Sequence, residues 1–310
     1  MTKRVTRSWL FALTLSACVL NPVEEGDAGG GGGGSGATGG GSAGTGGGGA
    51  AGGGGSGGGG GGASVDAGSL DRFSFFVTSL AALQDLSGSQ SGFGGDLRFG
   101  ETGPGAGLRG ADKLCATIAE RSMPGASAKQ WRAFLSAVDD GNGANVHAID
   151  RIGPGPWYDR LGRVFALTKA DVLFDRPTTI DPAIKDDFPN EDGVPNHRPI
   201  STQGQVDNHD TLTGSNAQGR LYSATATCAS WTGNTGTEGK PRVGHSWPRY
   251  GGPGGGGMGG VNPASWMSAL DESGCAPGVN LIETGPPMPT SNTVGSGGGY
   301  GGFYCFALIP

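Results

Sequence analysis

The chain has 310 residues, 67 of them glycine; only 15% are charged and the net charge at neutral pH is −6. A phosphate-backbone binder carries a basic face, so this acidic balance excludes nucleic acid as the partner, and the lack of long single-sign blocks excludes a polybasic membrane patch or an acidic tail. Glycine crowds into Gly29 to Gly62, where no aromatic or charged side chain is present to build a core, so the economical organisation is one folded domain after it.

At the start, Lys3, Arg4 and Arg7 precede a short apolar run, Trp9 to Leu15, which fits the basic and apolar parts of a secretory signal and is too short to span a bilayer. The run ends in Leu15-Ser16-Ala17-Cys18, which resembles the bacterial lipobox. That resemblance implies removal of residues 1–17 and lipidation of Cys18 as the new N-terminus, with more than one acyl chain for stable anchoring. Val19 stands where an Asp would favour inner-membrane retention, so the expected location is the outer membrane of a Gram-negative cell, at the surface or facing the periplasm. Residues 18–68 read as a flexible tether with a mean reach of roughly 30 Å over the glycine core. G-x-G-x-x-G matches inside it, and again around Gly251 to Gly260, follow no strand and open no helix, so they are composition rather than a nucleotide site.

Residues 69–310 form the expected domain. Phe73 to Leu80 is aromatic and β-branched enough for a strand. Between Gly110 and Ser122, apolar residues at Ala111, Leu114, Cys115, Ile118 and Ala119 trace one stripe of a helix. Trp131 to Leu135 and Arg163 to Leu167 alternate like half-buried strands. Asp175 to Thr213 is rich in proline and acidic residues and lacks periodicity, which predicts a long surface loop. Phe303 to Ile309 has the composition of a central strand buried on both faces.

Setting Cys18 aside leaves Cys115, Cys228, Cys275 and Cys305, an even set that in an oxidising compartment predicts two disulfides; three pairings are possible and spacing does not choose among them. No C-x-x-C pair occurs, and His147, His197, His209 and His245 are scattered singletons whose expected role is loop hydrogen bonding. Asp186, Asp187, Glu191, Asp192, Asp207 and Asp210 offer the hard oxygen ligands calcium takes, but without EF-hand spacing they read first as a solvated loop; no cofactor is expected, with calcium at this loop the weaker alternative. Gly244 to Pro248 lacks the second glycine of a nucleophile elbow, so an enzyme is not expected. Trp157, Tyr158, Trp247 and Tyr250 lie beside Gly-Pro turns and could stack on a sugar; Trp157, Tyr158, Asp192 and Asp210 are the candidate ligand-binding residues.

Gly107-Leu108-Arg109-Gly110-Ala111-Asp112-Lys113-Leu114-Cys115, followed by Trp131-Arg132-Ala133-Phe134-Leu135-Ser136, is similar to the start of endostatin, the C-terminal domain of certain collagens. Thr227-Cys228-Ala229-Ser230-Trp231 and Gly302-Phe303-Tyr304-Cys305-Phe306-Ala307-Leu308 resemble its third signature and closing strand. Closer still is a family of bacterial lipoproteins with this domain, whose blocks resemble Asp150 to Tyr158, His209 to Ser215 and Val243 to Ser246. The resemblance implies an α+β, C-type-lectin-like fold: a mixed, mainly antiparallel sheet, two helices, long loops, and first and last strands side by side. It also implies a nested pairing, Cys115 with Cys305 and Cys228 with Cys275. Endostatin's zinc histidines have no counterpart in Asp71 to Leu80, its heparin-binding arginine face does not suit an acidic domain, and the calcium motifs of sugar-binding lectins are absent. The expected function is therefore a surface lipoprotein displaying a binding domain for an extracellular glycan or protein. A self-associating envelope or matrix component is the alternative, and an enzyme ranks third.

Overall fold

The computed structural model of the chain describes residues 70–197, 208–248, 263–282 and 291–309; the leader, Cys18, the tether, Asp207 and Tyr250 lie outside them. Strand β1 (Phe75–Val77) gives way at once to helix α1 (Leu80–Ser87), so the strand expected over Phe73 to Leu80 is cut short. Ser79 is the reason: its Oγ accepts from the Ala82 N–H at 3.1 Å, an N-cap that starts a helix, and Gly88 at φ 66° ends it. Helix α2 (Ala106–Ser122) begins earlier than the stripe predicted, and its inner face buries Leu114, Cys115, Ile118 and Ala119. Strand β2 (Trp131–Ala133) follows, then a single helical turn at Ala148–Arg151 and a small ribbon of β3 (Trp157–Tyr158) and β4 (Val164–Ala166).

The remaining strands are β5 (Asp210–Leu212), β6 (Arg242–His245), β7 (Leu270–Asp271) and β8 (Gly299–Ala307). The main sheet runs β1-β8-β5-β6-β7, with β2 also on β8, and only the β5–β8 pair is parallel. Thus β8 pairs through its first half with β5 and carries β1 and β2 on its second half, where Phe75 faces Phe306 and Ala133 faces Cys305. All nine of its residues are buried, so it is the axis of the domain. It starts earlier than the aromatic run suggested, in glycines that β-propensity disfavours, and it stops before Ile309, which is exposed.

Side chains of a strand alternate between faces, so β8 divides the core in two. Phe303, Cys305 and Ala307 point into a layer closed by α2, with Trp131, Trp231 and all four paired cysteines. Tyr304 and Phe306 point into an aromatic layer with Phe75, Phe134, Trp157, Phe165, Phe188 and Trp266. Cys115 is bonded to Cys305 and Cys228 to Cys275, the nested pairing that the resemblance implies.

The segment Asp175 to Thr213 is not simply a surface loop. Ile180, Ile184 and Phe188 are buried in the aromatic layer, and the segment ends in β5. Its prolines and acids hid these anchors because turns, not a regular element, carry them inward. Glu191 is buried as well; its carboxylate accepts the Ser79 N–H at 2.9 Å and the Ser79 hydroxyl at 2.5 Å, tying this segment to the start of α1.

Cys228 to Trp231 form a left-handed turn without glycine, at φ 46°, 54°, 56° and 65°. Such a conformation costs about 1–2 kcal/mol per residue. The Cys228–Cys275 bond and the Trp231 indole N–H, which donates to the Ser136 carbonyl at 2.7 Å, hold it in place. Gly107 of α2 makes the room: a Cβ there would lie 2.2 Å from the Ser230 carbonyl oxygen.

Candidate functional site

The antiparallel pairing of β5 with β6 sets Asp210 opposite His245, and His209 immediately precedes β5. Three residues that the sequence offered as separate loop groups therefore converge in the interior, with His209 at 0%, Asp210 at 1% and His245 at 2% exposure. His209 Nε2 lies 3.3 Å and His245 Nε2 3.2 Å from the same oxygen, Asp210 Oδ1. The two imidazoles meet nearly edge to face with centroids 4.1 Å apart. The expectation of four scattered histidines is corrected for this pair, because strand register joins what sequence distance separates.

Backbone placement holds the cluster. The His245 N–H donates to the Ser265 carbonyl at 2.9 Å and the Asp210 N–H to the Gly298 carbonyl at 3.0 Å. Gly244 permits the first of these contacts, since a Cβ there would stand 1.7 Å from the Trp266 carbonyl oxygen. His245 Nδ1 is 2.9 Å from the Pro263 carbonyl oxygen. A carbonyl only accepts, so Nδ1 carries the proton and donates, which leaves Nε2 as the nitrogen that faces Asp210. A ring nitrogen and a carboxylate oxygen at that separation are held together by a positive centre between them, a proton or a metal ion.

The surroundings are polar but well partnered. Trp247 packs 4.8 Å from the His209 ring, stacks on His197, and donates from its indole N–H to Asn208 Oδ1 at 2.9 Å. Asn196 Nδ2 donates to Ser246 Oγ at 3.0 Å, and the Tyr300 hydroxyl donates to the Thr78 carbonyl at 2.8 Å. Arg176 donates to the His245 carbonyl at 2.8 Å and lies over the Phe188 ring, joining the cluster to the aromatic layer. Beside Asp210 is the buried Glu272, just past β7, which accepts from the Gly297 N–H at 2.6 Å and from Ser296 Oγ at 2.5 Å. Burial, and next the negative charge of Asp210, push the Glu272 carboxyl well above the ordinary glutamate range. Burial likewise raises the phenols of Tyr300 and Tyr304.

The candidate ligand-binding set does not assemble. Trp157 is fully buried, its indole N–H directed at the Ala307 carbonyl and its ring edge-on to Phe306, so it is core rather than a stacking surface. Tyr158 is half-buried with the Arg72 guanidinium over its ring. Asp192 is exposed beside α1 and α2, on a cleft also lined by Ser79, Arg121 and Ser122, and Asp210 belongs to the histidine cluster instead. The Gly-Pro turns next to Trp157 fold the ring inward because its apolar area is better buried. Nor do the five candidate calcium ligands among the described residues meet: Glu191 holds Ser79, Asp187 accepts the His197 N–H, and Asp210 faces imidazoles. Among the described residues, His209, Asp210 and His245 are the group whose geometry suits a metal ion, with ligand atoms within 4.8 Å of one another.

Sequence reasoning missed this pairing and missed Glu272 entirely. The available signal was that both histidines fall inside blocks carrying the lipoprotein resemblance, His209 to Ser215 and Val243 to Ser246. Compared with protein-family models and with curated protein sequences, the chain matches none. Among the described residues no helix is long and apolar enough to cross a membrane.

Proposed function

We propose that this chain is a non-catalytic surface lipoprotein: a diacylglycerol-anchored Cys18, a glycine tether over residues 18–68, and an endostatin-like domain of C-type-lectin-like fold that recognises an extracellular glycan or protein. The observation that carries the reading is the frame itself. The first strand lies against the last, one disulfide closes the path between α2 and β8 across 190 residues, and a second, nested inside it, staples a stretch of 47. Such a frame holds its ends fixed while irregular segments form much of the surface, the arrangement in which loops carry recognition. Two disulfides also suit an oxidising, extracytoplasmic setting.

Binding of the full-length protein to glycan arrays and to immobilised extracellular-matrix proteins is the test, together with cell fractionation of the Cys18→Ala variant. The reading expects specific capture on one surface and release of the variant from the membrane fraction. Blank arrays at high micromolar protein, or a parent chain recovered from the cytoplasm, would count against it. Self-association is the second reading, favoured by the exposed Leu167, Leu173 and Phe174, and in-cell crosslinking that recovers only monomer argues against it.

A further inference from the structure

We infer that His209, Asp210 and His245 form a binding site for a divalent transition-metal ion of the zinc class, which pins together the ends of the loops around β5 and β6. Three observations support it. First, two imidazoles and one carboxylate are the donor set of zinc-class ions, whereas calcium and magnesium take oxygen. Second, two of the three donor edges fit, and all three donors lie within 4.8 Å of one another: ligand bonds of about 2.0–2.1 Å at tetrahedral angles set neighbouring donors about 3.3–3.4 Å apart. The His209 Nε2 to Asp210 Oδ1 and His245 Nε2 to Asp210 Oδ1 edges are 3.3 and 3.2 Å. Third, the Pro263 carbonyl at 2.9 Å from His245 Nδ1 fixes the tautomer that presents Nε2 as a ligand, the outer hydrogen bond that metal-bound histidines carry.

The cluster is not explained by the remaining histidines' kind of role. His147 Nδ1 accepts the Leu221 N–H at 3.0 Å and His197 lies flat on Trp247, each a single loop contact. Among the described residues, only at Asp210 do two rings aim nitrogen atoms at one buried oxygen. The consequence is structural: one ion would join the entry of β5 to the exit of β6 and, through Pro263, to the segment that follows.

The test uses the full-length chain with its disulfides oxidised, stripped by chelator and titrated with zinc and, for its visible spectrum, cobalt. One equivalent is expected to bind, with the absorption of a four-coordinate cobalt site and a rise in melting temperature that calcium does not reproduce. His245→Ala is expected to weaken cobalt binding by more than about 100-fold, beyond the roughly 10–100-fold that loss of an outer hydrogen-bond partner costs. His147→Ala is expected to leave it unchanged. The titration of the parent chain decides the matter even if the His245 variant does not fold. A folded, stripped parent that takes up neither zinc nor cobalt at micromolar metal overturns the proposal, and so does uptake that survives His245→Ala or is lost in His147→Ala.

Discussion

The two layers on either side of β8 are built by different means. On one side, α2 lays a regular stripe against Phe303 and Cys305, and both disulfides close the layer covalently. On the other, among the described residues no long helix covers Tyr304 and Phe306; single side chains from the short β3–β4 ribbon and from turns, among them Trp157, Phe188 and Trp266, interlock with ring centroids mostly 5–6 Å apart. The difference teaches that a chain this rich in glycine can complete a core either by covalent closure of a regular element or by aromatic mass delivered from irregular backbone. In the second case each ring contributes area at little cost in side-chain entropy, and edge-to-face pairs add about 0.5–1.5 kcal/mol beyond burial.

The comparison can be broken most directly from the covalent side. Replacing Cys115 and Cys305 together by Ala opens a loop of 190 residues, and the expected loss is about 5 kcal/mol in a chain-entropy account, read from urea unfolding. Trp266→Ala attacks the other layer. The indole touches Phe134, Phe165 and Tyr304 and donates to the Val172 carbonyl at 3.0 Å, so its removal is expected to cost about 4 kcal/mol. A larger loss from Trp266→Ala than from the cysteine pair would show that aromatic packing, not covalent closure, dominates.

Glu191 sharpens the picture at the join, since it ties the segment that feeds Phe188 into the aromatic layer to the helix beside the covalent one. Burial raises its carboxyl above the ordinary value of 4.5, against the Ser79 hydrogen bonds, which lower it. Its contribution to stability is therefore fully present below 4.5 and lost as pH climbs through the folded value. Glu191→Gln stays neutral, so its stability relative to the parent is expected to rise with pH, a smaller effect measurable in denaturant midpoints. The opposite trend would mean that the bonds from Ser79 outweigh desolvation.

Much of the covalent layer was legible in the sequence, because the α2 stripe and the alternation at Trp131 are patterns among near neighbours. The aromatic layer was not. Ile180, Ile184 and Phe188 sit among prolines and carboxylates that read as solvated, and Trp157, beside a Gly-Pro turn, looked like a binding surface. The start of α1 was hidden by the aromatic run of β1, although Ser79 and Gly88 mark its two ends. At the candidate site the residue types were visible but their meeting was not: nothing in the spacing of His209 and His245 announces that one lies beside the strand partner of the other.

Composition and periodicity alone determined that the first part of the chain cannot build a core, that one amphipathic helix carries Cys115, and that the last aromatic run is central. These follow from side chains a few residues apart, whose relation is set by helical and strand geometry. Tertiary structure alone decided how two imidazoles come to share Asp210 and which turns reach the aromatic layer. Strand register and loop paths are set by contacts between distant segments, and no local pattern records them.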